Sequence, residues 1–181
     1  MILSDRDIQG AMARLENPLI IDPPFHKDRL QPASLELTLA DEILVSVKGS
    51  QELVLTSLTE LHETWDHGPW GYLNPGDFWL ATTIETVQIP TDLVAQVNGK
   101  SSHARRGLVV HQTAGFIDPG FKGQITLELS NASMNGIILT RGMAICQLVF
   151  MQMTSPAERP YGSVGLGSHY QGQRGPTPSR G

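Results

Sequence analysis

The sequence predicts an all-β sandwich or barrel preceded by a single helix, and three observations carry that expectation. Apolar and polar residues alternate in several short runs. Turn signals built on Gly and Pro separate those runs. A sustained helical period appears only near the start, which argues against an alternating α/β chain.

The helix comes first. Over residues 4–16, Ser4 stands as N-cap with Asp7 in the capping-box position, and Ile8, Ala11, Met12 and Leu15 form one apolar stripe. Pro18 is expected to end it, because the residue before a proline is pushed out of helical geometry. The period then falls to two. Leu35, Leu37 and Leu39 alternate with Ser34, Glu36 and Thr38; Ile43, Val45 and Val47 repeat the pattern, as do Phe78, Leu80, Thr82 and Ile84. Turns are expected at Asn74-Pro75-Gly76-Asp77, Asn98-Gly99, Asp118-Pro119-Gly120, Asn135-Gly136 and Arg141-Gly142. Residues 57–72 fit neither period and read as a surface loop or short helix packed by Trp65 and Trp70. From Gly162 onward the chain is Gly, Ser, Pro and Arg with few apolar anchors, a composition that stays disordered unless something holds it. At roughly 3.3 Å per extended residue, this tail is long enough to reach a neighbouring subunit.

With 181 residues the chain makes one domain, or one domain with arms, and can bury a real core. A 40% apolar share is far above that of disordered chains. The net charge of −5, with no long basic run, argues against nucleic acid as the main partner. The cations are local instead: Lys100, Arg105 and Arg106 together, then Arg174 and Arg180 in the tail, a distribution that suits a small polyanion. A lone cysteine, Cys146, cannot form an internal disulfide and fits a reducing cytoplasm. It lies in the apolar run MAICQLVFM and reads as a buried structural thiol. The start, MILSDRDIQ, has neither a basic nor an apolar leader region, and no uncharged run approaches the ~20 apolar residues of a membrane span. A soluble, cytoplasmic protein is expected.

Chemistry concentrates between Asn98 and Asn131. In QITLELS, Ile125, Leu127 and Leu129 share one face, so Gln124, Thr126 and Glu128 take the other. A mid-strand carboxylate there either faces solvent or lines a site. Lys100-Ser101-Ser102 and Arg105 follow Asn98-Gly99, and such a turn can offer backbone N–H groups, hydroxyls and a cation to phosphate oxygens. The phosphate-loop pattern G-x-x-x-x-G-K-[ST] is not met, since Val94 stands where its first glycine belongs, and an ordinary charged-rim hairpin would look the same. Asp118, in GFIDPGF, either caps its own turn or serves a site. The paired H-x-E and P-C-x-x-C pattern of a catalytic zinc site is absent from the sequence.

Several segments, in one order, carry a family resemblance: LSDRDI near the start, QPASLELTL around residue 35, the stretch NGKSSHARRGLVVHQTAGFIDPGFKGQITLELSN, and the tail PYGSVGLGSHYQGQRGPTPSR. Together they resemble the dCTP deaminase branch of the trimeric dUTPase superfamily, nearly end to end. The resemblance implies a dUTPase-like distorted jelly-roll β-barrel over residues 1–161, with residues 162–181 as a flexible C-terminal arm that closes over a site shared between subunits of a homotrimer. It implies Glu128 as the group that activates water without zinc, Asp118 orienting a water and meeting the deoxyribose, and Ser101 and Arg105 beside them. Lys100, Ser101, Ser102, His103, Ala104 and Arg105 match the triphosphate turn, and Thr113 and Ala114 the segment that meets the pyrimidine through its backbone. Thr126, Leu127, Gln147, Tyr161, His169 and Gln173 complete the implied substrate contacts, and Mg2+ comes with the triphosphate.

Within that family some members stop at dUTP and others also cleave it to dUMP and pyrophosphate. Gly115-Phe116 and the tail GSHYQGQRGPTPSR resemble the bifunctional members. Ala104, in His103-Ala104-Arg105, departs from them, because a glycine is usual there. A deaminase releasing dUTP, a dUTP diphosphatase without deaminase activity and a nucleotide-sensing trimer without turnover remain the alternatives. The resemblance implies dCTP and dUTP as ligands and raises dTTP as an inhibitor. His169 also departs: close relatives read GSKYQGQ where this chain has GSHYQGQ.

Overall fold

Ser4 does cap the first helix, α1 (Asp5–Met12), with its side chain accepting from the Asp7 N–H while the Asp7 carboxylate accepts from the Ser4 N–H. Ile8 and Ala11 are buried beneath it, but the helix stops a turn before residue 16 and Leu15 is fully exposed. Tertiary bonds explain the early end. The Arg14 guanidinium donates to both oxygens of Asp92 at 3.0 and 2.9 Å. The Asn17 amide exchanges hydrogen bonds with Thr91, and Asn17 itself has φ of 50°. These ties bring the chain back to the barrel before another helical turn can form.

The computed structural model describes residues 1–46, 62–64 and 70–180. Within them the strands are β1 (Ile20–Asp22), β2 (Leu30–Gln31), β3 (Ser34–Ser46), β4 (His62–Thr64), β5 (Trp70–Leu73), β6 (Phe78–Gln88) and β7 (Leu93–Gly99). A single helical turn, α2 (Ser101–Ala104), precedes β8 (Leu108–Val109), β9 (Phe116–Ile117), β10 (Lys122–Asn131), β11 (Ile137–Thr140) and β12 (Ala144–Gln152). Antiparallel pairing runs β8-β10-β6-β3-β12-β7-β9, with β1 added to β6 and β2 and β4 to β3; β11 and β5 form a separate ribbon. The result is a curled, distorted jelly-roll barrel, as the sequence predicts.

The long strand β3 joins the two walls. Leu35–Thr38 pair with β12, Leu39 and Ile43–Val45 pair with β6, and the register shifts between Leu39 and Ile43. Leu35, Leu37 and Leu39 point into the core as their alternation requires, and none is more than 1% exposed. Burying each such side chain contributes about 1.5–3 kcal/mol. In β6 the simple alternation fails. Trp79, Ala81 and Thr83 are buried along with Leu80 and Thr82, because a central strand is covered on both faces.

Two other expectations need correcting. Asn98-Gly99 is not a turn but the end of β7, where Asn98 and Gly99 pair with Gln147 and Cys146 of β12. Cross-strand pairing overrides the local turn preference there. Residues 62–64 and 70–73 are short strands rather than loop or helix. Trp65, Val47 and the side chain of Trp70 lie outside the described residues. Three of the expected tight turns form: the Asp77, Phe121 and Met143 N–H groups donate to Asn74, Asp118 and Thr140 carbonyls, and Gly76, Gly120 and Gly142 supply the positive φ, whereas among the described residues Asn135-Gly136 is a bend without a turn hydrogen bond of that kind. No helix among the described residues is long and apolar enough to cross a membrane.

Candidate active site

The end of β7 delivers Lys100 to the rim of a polar cleft of about 520 Å³. Its lining combines the predicted phosphate turn, through Lys100, Ser101 and Ser102, with Gln147 of β12 and with Ser34 and Glu36 of β3. The β-ladder explains that combination, because Gln147 is registered against Glu36 on one side and Asn98 on the other. Ser34 donates to Gln147 Oε1 at 3.0 Å, and Gln147 Nε2 donates to the Gly99 carbonyl at 3.4 Å. Lys100 Nζ donates to Glu36 Oε1, and Arg29 Nη1 lies 3.7 Å from Glu36 Oε2. α2 is one turn long, closed by Ala104 N–H to Lys100 O at 2.9 Å, and it leaves Ser101, Ser102 and Arg105 exposed. His103 Nε2 sits 2.9 Å from the Ala144 carbonyl, which makes it a brace for the turn.

Glu128 occupies a different place. From Gly123 onward β10 alternates between buried and half-buried residues, with Leu127 and Leu129 in the core and Thr126 and Glu128 on the other face. Leu127 can therefore meet a ligand only through its main chain. The Gln112 N–H donates to Glu128 Oε2 at 2.6 Å, and the Glu128 N–H donates to the Val110 carbonyl at 3.1 Å. Among the described residues, Glu128 Oε1 makes no hydrogen bond. The segment that orients the carboxylate continues directly into Thr113–Phe116. Thr113 has φ of 74°, an uncommon left-handed conformation for a β-branched residue. Gly115 is buried, and a Cβ there would lie 2.8 Å from the Val97 carbonyl and 3.1 Å from the His111 ring. Phe116 stands 61% exposed on β9.

Asp118 is exposed and closes its turn through its carbonyl; among the described residues its carboxylate caps nothing. Tyr161 reaches this turn, with its N–H donating to the Pro119 carbonyl at 2.7 Å and its ring 5.8 Å from Phe121. The tail beyond is not loose. It lies along the free edge of β10, where Gln124 N–H donates to Gln173 O at 3.1 Å and Gln173 Nε2 returns to Gln124 O at 2.8 Å. Gly175 N–H donates to Gln124 Oε1 at 2.7 Å and Thr177 N–H to Thr126 Oγ1 at 3.3 Å. Gln173 is buried in this position, whereas His169 is exposed with its ring edge-on to Tyr170.

The cleft lining thus brings together Lys100, Ser101, Ser102 and Gln147, and it does not include Glu128, Asp118 or the tail residues. Sequence reading missed Glu36, Arg29, Ser34 and Gln124. In sequence, Glu36 is one polar position of an alternating strand, and only the register reveals its cation partners. Cys146 is fully buried, and desolvation, with the Glu85 carboxylate adding to it, pushes its thiol far above the ordinary range, as suits a structural residue. Among the described residues no group of three or more His, Cys, Asp or Glu side chains converges as a metal site. A Mg2+ ion arriving on a triphosphate needs no such cage, since phosphate oxygens and waters hold it.

The curled barrel that carries this cleft is a dUTPase-like fold. The family model for dCTP deaminase-like proteins matches residues 2–153, and the chain belongs to that family. It is 48% identical to the "dCTP deaminase, dUMP-forming" of Bifidobacterium animalis subsp. lactis, across 99% of this chain and 94% of that one. The protein of the same description from Streptomyces coelicolor is 47% identical, across 99% and 95%. Among solved structures, the 2'-deoxycytidine 5'-triphosphate deaminase of Agrobacterium tumefaciens superimposes with a TM-score of 0.65 at 26% identity, covering 82% of this chain. This chain spans 46% of that longer one. The dUTPase of phage phi11 of S. aureus matches with a TM-score of 0.51 at 15% identity, covering 78% and 94%, a likeness of fold alone.

Proposed function

We propose that this enzyme deaminates dCTP at C4 and then hydrolyses the resulting dUTP to dUMP and pyrophosphate. The observation that carries the reading is Glu128, a half-buried strand carboxylate with Oε2 fixed by the Gln112 N–H and Oε1 left for a water. Near full-length similarity to dUMP-forming dCTP deaminases supports the second step.

In the first step Glu128 takes one proton from a water whose oxygen bonds to C4 and delivers it to the amino group, which leaves as ammonia as the C4–N bond breaks, while the second water proton ends on N3 of the product uracil. No zinc is assigned, since the sequence lacks the zinc motif. Ser101 and Arg105 help position the water. In the second step Asp118 orients a water whose oxygen bonds to the α-phosphorus as the P–O bond to the β-phosphate breaks; pyrophosphate leaves and the proton lost by the water passes to solvent. Mg2+ held by the triphosphate oxygens would neutralise part of the phosphate charge. Lys100, Ser102 and the α2 turn hold the phosphates, and Thr113 and Ala114 read the base through main-chain groups. Gly115 and Phe116 shape the loop that separates bifunctional from deaminase-only members.

The working unit in this reading is a homotrimer in the cytoplasm, with residues 1–161 as barrel and 162–181 as arm. The lining of the Lys100 cleft includes neither Asp118 nor the arm, which supports a site completed by a neighbouring subunit. Tyr161, His169 and Gln173 then serve a bound nucleotide, and dTTP is the candidate inhibitor. Incubation with dCTP and Mg2+, followed by identification of the nucleotide, is the test. The expected products are dUMP, pyrophosphate and ammonia. Ala104 favours the second reading, a deaminase that releases dUTP, and clean dUTP would establish that instead. Absence of ammonia would overturn the deaminase assignment.

A further inference from the structure

Lys100 is the cation and Glu36 the carboxylate among the residues lining the polar cleft. An acid in a cleft for a polyanion opposes binding, so its presence calls for a physical reason. Both oxygens of Glu36 meet cations: Oε1 accepts from Lys100 Nζ, and Oε2 faces Arg29 Nη1 at 3.7 Å. The three side chains are partly buried, at 15% exposure for Glu36, 18% for Lys100 and 28% for Arg29. Glu36 is in turn fixed by the ladder that sets it against Gln147. A lysine on four methylenes is the most mobile cation that could be offered to a phosphate, and it carries three donors. One donor on Glu36 holds the ammonium and leaves two for phosphate oxygens.

We propose that Glu36 is a positioning residue. It holds Lys100 in place for the phosphates of the substrate, at the expense of some ground-state attraction for polyanions, with Arg29 balancing its charge. The inference rests on the reading of this cleft as the triphosphate seat. It gives Glu36→Gln an unusual signature. Removing the negative charge should leave polyphosphate binding as tight or tighter, while the loosened lysine slows the reaction. Loss of ordinary structure would weaken both.

The experiment compares the full-length wild type with Glu36→Gln, Glu36→Asp, Lys100→Gln and the double variant Glu36→Gln/Lys100→Gln. Binding of inorganic tripolyphosphate is followed by calorimetry, kcat and KM for dCTP by ammonia release, and folding by thermal midpoint. Glu36→Gln is expected to lower kcat about tenfold, less than the ~10²-fold that ångström-scale misplacement can cause, with tripolyphosphate bound at least as tightly as by wild type. Glu36→Asp, which keeps the charge, should recover part of kcat. In the Lys100→Gln background, Glu36→Gln should change kcat by less than about twofold, the non-additivity expected of residues acting through one contact. A folded Glu36→Gln enzyme with wild-type kcat would overturn the proposal alone. So would kcat and tripolyphosphate affinity falling together, and if Glu36→Gln does not fold, so would a Glu36→Asp enzyme with no kcat. Equal tripolyphosphate binding by wild type and Lys100→Gln would instead remove the triphosphate reading of the cleft, and the proposal with it.

Discussion

Strand β10 and the tail that lies along it are held by different physics. β10 is anchored by side chains: Leu127 and Leu129 are fully buried, and the strand pairs with β6 over most of its length. The tail from Gly162 is anchored mainly by main-chain and amide hydrogen bonds to residues 122–126. Val164 is fully exposed, and every glycine from Gly162 to Gly175 has positive φ. A strand locked into a core keeps a catalytic group at a fixed position. A tail attached by exchangeable hydrogen bonds, each worth about 0.5–1.5 kcal/mol net, can leave and return. A strand fixed by its core side chains and a tail held by exchangeable hydrogen bonds thus share one edge, at Gln124 and Thr126.

The strongest way to break this comparison is on the strand. Glu128→Gln keeps the shape of the side chain and its place opposite Gln112 but cannot shuttle a proton. Deamination is expected to fall by ~10²-fold or more while dCTP binding stays within a few-fold. Ammonia release under saturating dCTP, with binding measured by calorimetry, decides it. A variant keeping more than about a tenth of wild-type turnover would show that another group performs general acid–base catalysis.

The next effect is on the tail. Truncation after Tyr161 removes the bonds from Gln171, Gln173, Gly175 and Thr177 and the packing of Tyr170 against the core, but none of the buried hydrophobics of the barrel. If the tail covers the site and excludes water, a folded protein with unchanged assembly and kcat/KM reduced by about tenfold or more is expected. Size-exclusion chromatography with steady-state kinetics reports both. Unchanged kcat/KM would make the tail a passive end of the chain, whereas loss of assembly would make it part of the scaffold.

Strand and tail also differ in how far the sequence disclosed them. The alternation in QITLELS orients Glu128 without any structure, because strand geometry has a strict period of two. The capping box at Ser4 and the leucines of β3 are equally legible. What stayed hidden depends on partners distant in sequence. Leu15 continues a helical stripe, yet Arg14–Asp92 ends the helix before it. Asn98-Gly99 spells a turn but pairs with β12. The alternation in β6 fails because both of its faces are covered. The tail carries turn composition throughout, so no local signal shows that Gln173 returns its amide to β10. Glu36 is the clearest case on the cleft side, since its role follows from Arg29 and Lys100, which lie in two other segments.

The smallest expected effect sharpens the account of the tail. His169, which the family resemblance sets against a lysine, is exposed, with its carbonyl accepting from Arg180 Nη1 at 3.0 Å and its ring against Tyr170. Nothing in that arrangement needs an imidazole. A lysine ammonium brings a full charge and three donors to a phosphate, whereas an imidazole brings at most two ring nitrogens. If residue 169 meets a phosphate when the tail closes over a nucleotide, the lysine makes the stronger contact. His169→Lys should then raise kcat/KM by a few-fold at most, the size expected of one exposed charge contact, and the gain should shrink as salt is added. Parallel kcat/KM measurements of the two proteins at low and high ionic strength are the check. Equal values at both would show that His169 stays in solvent throughout turnover, and the phosphate contact of the tail would then have to come from another residue.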